Sequence, residues 1–177
     1  MRKLLSGLTY ALLVIAAAGL LHAQVPGAAA PALQSFSSPQ GRFSILFPGT
    51  PIQDTQTVNL KNGGTTILYQ ASVELESGNV AYMVIYNDYP GTYGTGDPQT
   101  VLAGTRDGAV SGKTLLTDAP ISLNGVPGRA FTAKDDTWNY TVRQYLKGQR
   151  LYQLIIVYNN AHPATVTDQF VNSFAIW

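Results

Sequence analysis

Two segments of this chain are apolar on both faces when read as extended backbone, and nothing else in it narrows the fold as far. In residues 80–86, Val80, Tyr82 and Val84 fall on one side while Ala81, Met83 and Ile85 fall on the other. In residues 151–158, Leu151, Ile155 and Val157 oppose Tyr152, Leu154 and Ile156. A strand greasy on both sides must be covered on both, so each belongs in the middle of a sheet held between two layers. Residues 65–76 alternate instead: Ile67, Tyr69, Ala71, Val73 and Leu75 share one face, and Thr66, Gln70 and Ser72 lie on the other. That is the pattern of an antiparallel strand with one core face and one wet face.

Turn chemistry sets the order of the remaining pieces. Residues 38–41 (Ser-Pro-Gln-Gly) form a turn before a short strand at 43–47, which Pro48 and Pro51 close because proline cannot continue a ladder. Asn62-Gly63-Gly64 accepts positive φ cheaply and predicts a hairpin between strands at 55–61 and 65–76. Lys147-Gly148-Gln149 predicts a second hairpin, joining 138–146 to 151–158. Strands at 114–123 and 129–134 are separated by residues 124–128.

Two helices are available as cover. Asp97 caps the first, Pro98 opens it, and Val101, Leu102, Thr105, Ala109 and Val110 give it an inner stripe up to Gly112. Gly104 and Gly108 are expected to let it sit close on the sheet, each at about 1 kcal/mol against Ala. The second is expected from Pro163, with Val166, Phe170 and Phe174 four apart. The expected fold class is therefore α+β: an antiparallel sheet of about six to eight strands flanked by two helices. The expected order is four strands, a helix, four strands, a helix.

The N-terminus has a different character. Arg2 and Lys3 precede an unbroken apolar or Gly run from Ala11 to Leu21, and Ala23 supplies the small residue a signal peptidase needs. Residues 1–23 are therefore expected to be a cleaved export signal, with an uncleaved anchor as the alternative if residues 4–23 are counted as apolar. No cysteine occurs anywhere, which excludes a lipid-modified N-terminus of the bacterial lipoprotein kind, disulfides and thiol chemistry. Residues 24–35, rich in Ala and Pro, are expected to be a flexible lead-in to one domain at 36–177. Loss of Arg2 and Lys3 with the signal turns eleven Lys and Arg against ten Asp and Glu into nine against ten. A net charge of about −1 gives no electrostatic reason to expect nucleic acid or an anionic membrane as partner. The expected place of work is the periplasm or the extracellular space, without stable membrane insertion after cleavage.

The phrases GRFSILFPGTP (residues 41–51), NGVPGRAF (124–131) and LYQLIIVYNN (151–160), with FVNSFAIW (170–177), resemble the Mog1/PsbP-like superfamily, above all its exported bacterial members. The resemblance covers residues 36–177 and rests on strand, turn and helix phrasing, with no catalytic motif in it. It implies a helix-sandwiched antiparallel sheet. It implies little about activity, because that fold serves as photosystem accessory subunits, as a nuclear-transport factor partner and as envelope lipoproteins.

Several chemistries can be set aside on the residues alone. His162 is the one histidine left after export and sits just before Pro163, where capping a helix is its expected task; with no Gly-x-Ser-x-Gly, a Ser-His-Asp hydrolase lacks its parts. Residues 108–114 (GAVSGKT) superficially suggest a phosphate loop but have the wrong glycine spacing and end a helix instead of starting one. No zinc site follows from one His and no Cys. Asp88 and Asp97 bracket a Gly-rich loop without the alternation of a calcium loop, which leaves weak calcium binding through these two carboxylates as an open alternative. No cofactor is expected. That loop, residues 86–97, carries Tyr86, Tyr89 and Tyr93 with Asp88 and Asp97, and long loops of this kind often recognise partners. Tyr89, Tyr93, Asp88 and Asp97 are thus the candidate ligand- or partner-binding residues, with Tyr89 and Tyr93 expected to be partly exposed. The favoured function is a non-enzymatic binding or accessory module of the cell envelope, taking a protein or small ligand. The alternative is an enzyme using carboxylate or tyrosine groups near that loop.

Overall fold

The computed structural model describes residues 31–60, 64–91 and 96–177. Its ten strands and two helices run β1 (Gln34–Ser38), β2 (Phe43–Phe47), β3 (Ile52–Asn59), β4 (Thr65–Leu75), β5 (Val80–Asp88), α1 (Pro98–Ala109), β6 (Thr114–Leu123), β7 (Val126–Lys134), β8 (Trp138–Lys147), β9 (Arg150–Asn159), α2 (Thr167–Asn172) and β10 (Ala175–Ile176). Seven strands form one antiparallel sheet in the order β3-β4-β5-β9-β8-β7-β6. The two doubly apolar segments, β5 and β9, lie side by side near its centre and are buried on both faces. The fold is α+β, as the patterning implies.

One face of the sheet is covered by α1. Asp97 caps that helix by accepting from the Thr100 N–H at 2.8 Å, and Leu102, Thr105 and Ala109 face inward. Their cover spans Met83, Ile85, Phe131, Val142, Ile155 and Val157 at one end and Tyr89, Leu146 and Leu151 at the other. Gly104 does not bring helix and sheet together. It is exposed, with no atom within 4 Å of where a Cβ would stand, so its cost to the helix is not recovered by close packing.

The opposite face is covered by a second layer that the strand count above left unseparated. β1, β2 and β10 form a three-stranded sheet in the order β1-β2-β10, and its apolar side meets Tyr82, Val84, Tyr86, Tyr152, Leu154 and Ile156 of the large sheet. β1 and β10 are too short to announce themselves by periodicity, and each is held by pairing with β2. α2 is also shorter than expected: it starts at Thr167 and not at Pro163. Val166, Phe170 and Phe174 are nonetheless all buried in this layer, as their spacing implies. His162 is not a helix cap; its ring lies 3.2 Å from the Glu76 carboxylate.

Sheet edges depart from the simple alternation. Ile67 shares a face with Ala71 and Val73, yet it is 45% exposed, because the small sheet does not reach the outer end of β4. The hairpin tip at Asn62-Gly63 lies outside the described residues. No helix among the described residues is long and apolar enough to cross a membrane.

Candidate binding groove

Because the small sheet leaves β3 exposed, a concavity of about 620 Å³ is left between it and the β3–β4 margin of the large sheet. On one side stand Phe36, Ser37 and Ser38 of β1, Pro39 and Gln40 of the following turn, and Phe43 of β2. On the other stand Gln53, Asp54 and Thr55 of β3, Tyr69, Gln70 and Ala71 of β4, and Tyr86 of β5. Register explains the grouping. Gln53 faces Ala71, Thr55 faces Tyr69, and Tyr69 faces Tyr86, so these side chains fall in rows on one surface of the sheet.

The rings of the aromatic wall contact one another directly. Tyr69 stacks on Tyr86 with centroids 4.9 Å apart and planes 11° from parallel, and Phe43 meets Tyr86 edge-on at 5.8 Å. Beneath them the Arg150 guanidinium lies 5.3 Å from the Tyr86 centroid. Arg150 also donates to both Asp88 oxygens, at 2.7 and 2.6 Å, and to the Gln40 carbonyl at 2.8 Å. One side chain therefore ties the end of β5 to the turn that forms the groove's rim. The Tyr152 hydroxyl adds a second tie by donating to the Gly41 carbonyl at 2.8 Å.

These contacts set the electrostatics. Hydrogen bonds from Arg150 hold the Asp88 carboxyl below its ordinary range, and burial pushes the Tyr86 and Tyr152 phenols up. Asp54, the groove's one carboxylate, accepts from the Thr55 N–H at 2.7 Å. The lining contains no histidine, lysine or arginine. What it offers is flat aromatic area edged by amides, hydroxyls and one carboxylate.

The candidates from the 86–97 loop are dispersed. Tyr89 is 7% exposed and packs with Leu102, Leu146 and Leu151 under α1, which corrects the expectation that it is exposed. The reason is parity: β5 runs on to Asp88, and the next residue turns to the α1 side of the sheet with its N–H donated to the Gln149 carbonyl at 2.9 Å. Asp88 is held by Arg150 on the other side, and Asp97 faces solvent at the helix cap, lowered by its bond from the Thr100 N–H. Tyr93 lies outside the described residues. Among the described residues no group of three or more His, Cys, Asp or Glu side chains is placed to hold a metal.

Reading by segment missed Phe36, Gln53, Asp54 and Tyr69 as site residues. A signal for part of this was present. The tight connection at Glu76–Gly78 fixes Leu75 opposite Val80, and counting back from it sets Tyr69 opposite Tyr86. Nothing local reveals that β1 folds over this pair.

No protein-family model matches the chain, and no curated protein matches it. Among solved structures, cyanobacterial PsbP (CyanoP) from Synechocystis sp. PCC 6803 is similar at 15% identity with a TM-score of 0.54, over 88% of this chain and 98% of that one. A Bacteroides thetaiotaomicron VPI-5482 protein aligns over 81% of this chain and 48% of its own, at 10% identity and a TM-score of 0.38, too low to carry an argument. Over 88% of its length, then, this chain has the PsbP-like fold.

Proposed function

We propose that this chain is an exported, non-enzymatic accessory module of the cell envelope that holds a ligand or a partner segment in the groove between β1 and the β3–β4 margin. The observation that carries the reading is the groove's composition: four aromatic rings with amides and hydroxyls, and a single carboxylate, one of whose oxygens accepts from the Thr55 N–H. Hydrolysis by paired carboxylates needs two, and general acid–base work needs a group that titrates near its operating pH. Tyr86 is pushed the wrong way for a base, and Asp88 is clamped by Arg150. The PsbP-like fold supports an accessory role as an analogy only. The export half of the proposal rests on the n-region, the apolar run and Ala23.

Gln53 is exposed on the groove wall, so Gln53→Trp should fill the groove without disturbing the core. A photo-crosslinking residue at position 53, expressed in the native host, should give an adduct that one at exposed Leu116 on the far edge does not. Equal adducts from both positions, or none from 53, overturns the groove reading. Mass spectrometry of the native material should find Gln24 at the N-terminus. Retention of Met1 in a membrane fraction would establish the anchored alternative.

A further inference from the structure

The two margins of the seven-stranded sheet are built differently. β6, at one end, carries a bulge between Leu115 and Thr117 and a proline at position 120, both devices that discourage a further strand. β3, at the other end, pairs with β4 over eight residues without a shift in register and contains no Pro, Gly, Lys or Arg. Among the described residues β4 is its only partner strand, and seven of its eight residues are exposed.

Which backbone groups face outward follows from one bond. The Leu60 N–H donates to the Gly64 carbonyl, and the register continues that pairing to Val58–Thr66, Gln56–Leu68 and Asp54–Gln70. Even-numbered residues therefore spend their amides on β4, and Gln53, Thr55, Thr57 and Asn59 turn theirs to the free edge. Gln53 and Thr55 also line the groove. One outward donor is covered: the Thr55 N–H is taken by the Asp54 carboxylate at 2.7 Å, and Asp54 is the one charged side chain on β3.

We infer that the groove and the β3 edge form one site for an extended peptide of a partner protein, added antiparallel or parallel to β3, with apolar or aromatic residues at alternate positions and a Lys or Arg at an intervening one. The inference rests on the groove reading above and names its occupant. Backbone pairing along Gln53, Thr55, Thr57 and Asn59 supplies adhesion, and side chains on the groove face stand about 4.8 Å beyond the Gln53 and Thr55 row, from where long or aromatic ones extend over that row toward Phe36 and Tyr69. The cation draws the Asp54 carboxylate off the Thr55 N–H, so the covered donor becomes free only for a strand that brings a positive charge. A second copy of this chain fits less well. Its β3 offers Gln, Thr and Asn rows with no such cation, and the exposed Ile52 and Ile67 lie on opposite faces of the hairpin and form no common patch.

The test is selection of phage-displayed random dodecapeptides on the full chain, followed by binding of the enriched peptides to variants. Enriched sequences should alternate apolar residues and carry Lys or Arg, a preference that selection on Asp54→Asn should lose. Thr57→Pro removes an outward N–H that β4 does not use and should weaken binding about tenfold or more, with an unchanged thermal melt. N-methylation of alternate amides in the selected peptide should do the same without altering the protein, which covers the case of a misfolded variant. Gln53→Trp should also block. Loss with Gln53→Trp but wild-type affinity with both Thr57→Pro and the methylated peptide overturns edge pairing and leaves the groove reading standing. No effect from any of them overturns both. An absence of enrichment, or a concentration-dependent dimer abolished by Thr57→Pro, overturns the peptide as occupant.

Discussion

Ile155→Asp tests the centre of the fold, because Ile155 is 1% exposed in β9 and lies between Met83 of β5 and Val142 of β8. Loss of the buried aliphatic side chain costs about 2–5 kcal/mol, and an unpaired buried polar group adds about 1–3 kcal/mol. The sum, about 3–8 kcal/mol, is comparable to the whole stability of a domain, about 5–15 kcal/mol. The new carboxyl also imposes a pH dependence. Unfolded, it titrates near about 3.9, and burial raises that value in the folded state. Between the two values the folded state binds more protons, so the variant loses stability as pH rises. Urea unfolding followed by circular dichroism, at about pH 4.5 and pH 7, should show a gap from wild type that is larger at pH 7. Ile155→Val should cost only about 0.5–1.5 kcal/mol at either pH. A variant curve that superimposes on wild type, or a gap that widens at the lower pH, would refute the placement of β9 as a covered central strand.

Tyr89→Ala should lower the melting temperature, costing about 2–4 kcal/mol, since the ring is packed under α1; an unchanged melt would return Tyr89 to the surface. Gly128→Ala should destabilise by about 1–3 kcal/mol, because its Cβ would lie 2.6 Å from the Gln144 carbonyl oxygen, whereas Gly104→Ala on the open side of α1 should stabilise by about 0.5–1 kcal/mol. Paired melts read both signs. Asp88 is held down by Arg150, so its contribution is present above the unfolded value of about 3.9 and is lost as pH falls through the folded one. Asp88→Asn should flatten that part of the acid limb by under about 1 kcal/mol, the carboxylate being 58% exposed, and an acid limb identical to wild type would contradict the pairing.

The sheet was legible where burial writes itself into the residues. β5 and β9 show it on both faces, β2 is bounded by its prolines, and α1 carries both its cap and its stripe. β1 and β10 were not, since five and two residues hold no period and exist because β2 offers them a partner. The site was obscured for the same reason. Tyr89 looks like a loop residue by its neighbours Pro90 and Gly91, but the end of β5 carries it into the core. Phe36 looks like the start of a domain, but pairing with Ile45 lays it across the groove. Residues assembled from five strands and a turn have no common signature along the chain, and only register brings them together.

The most direct test of the groove as the binding surface is a nuclear magnetic resonance titration of the labelled chain with a selected peptide. Amide shifts should cluster at residues 36–40, 53–57 and 69–71, with little change along α1. A cluster confined to residues 86–91 and the start of α1 instead would contradict the account and restore the loop as the site.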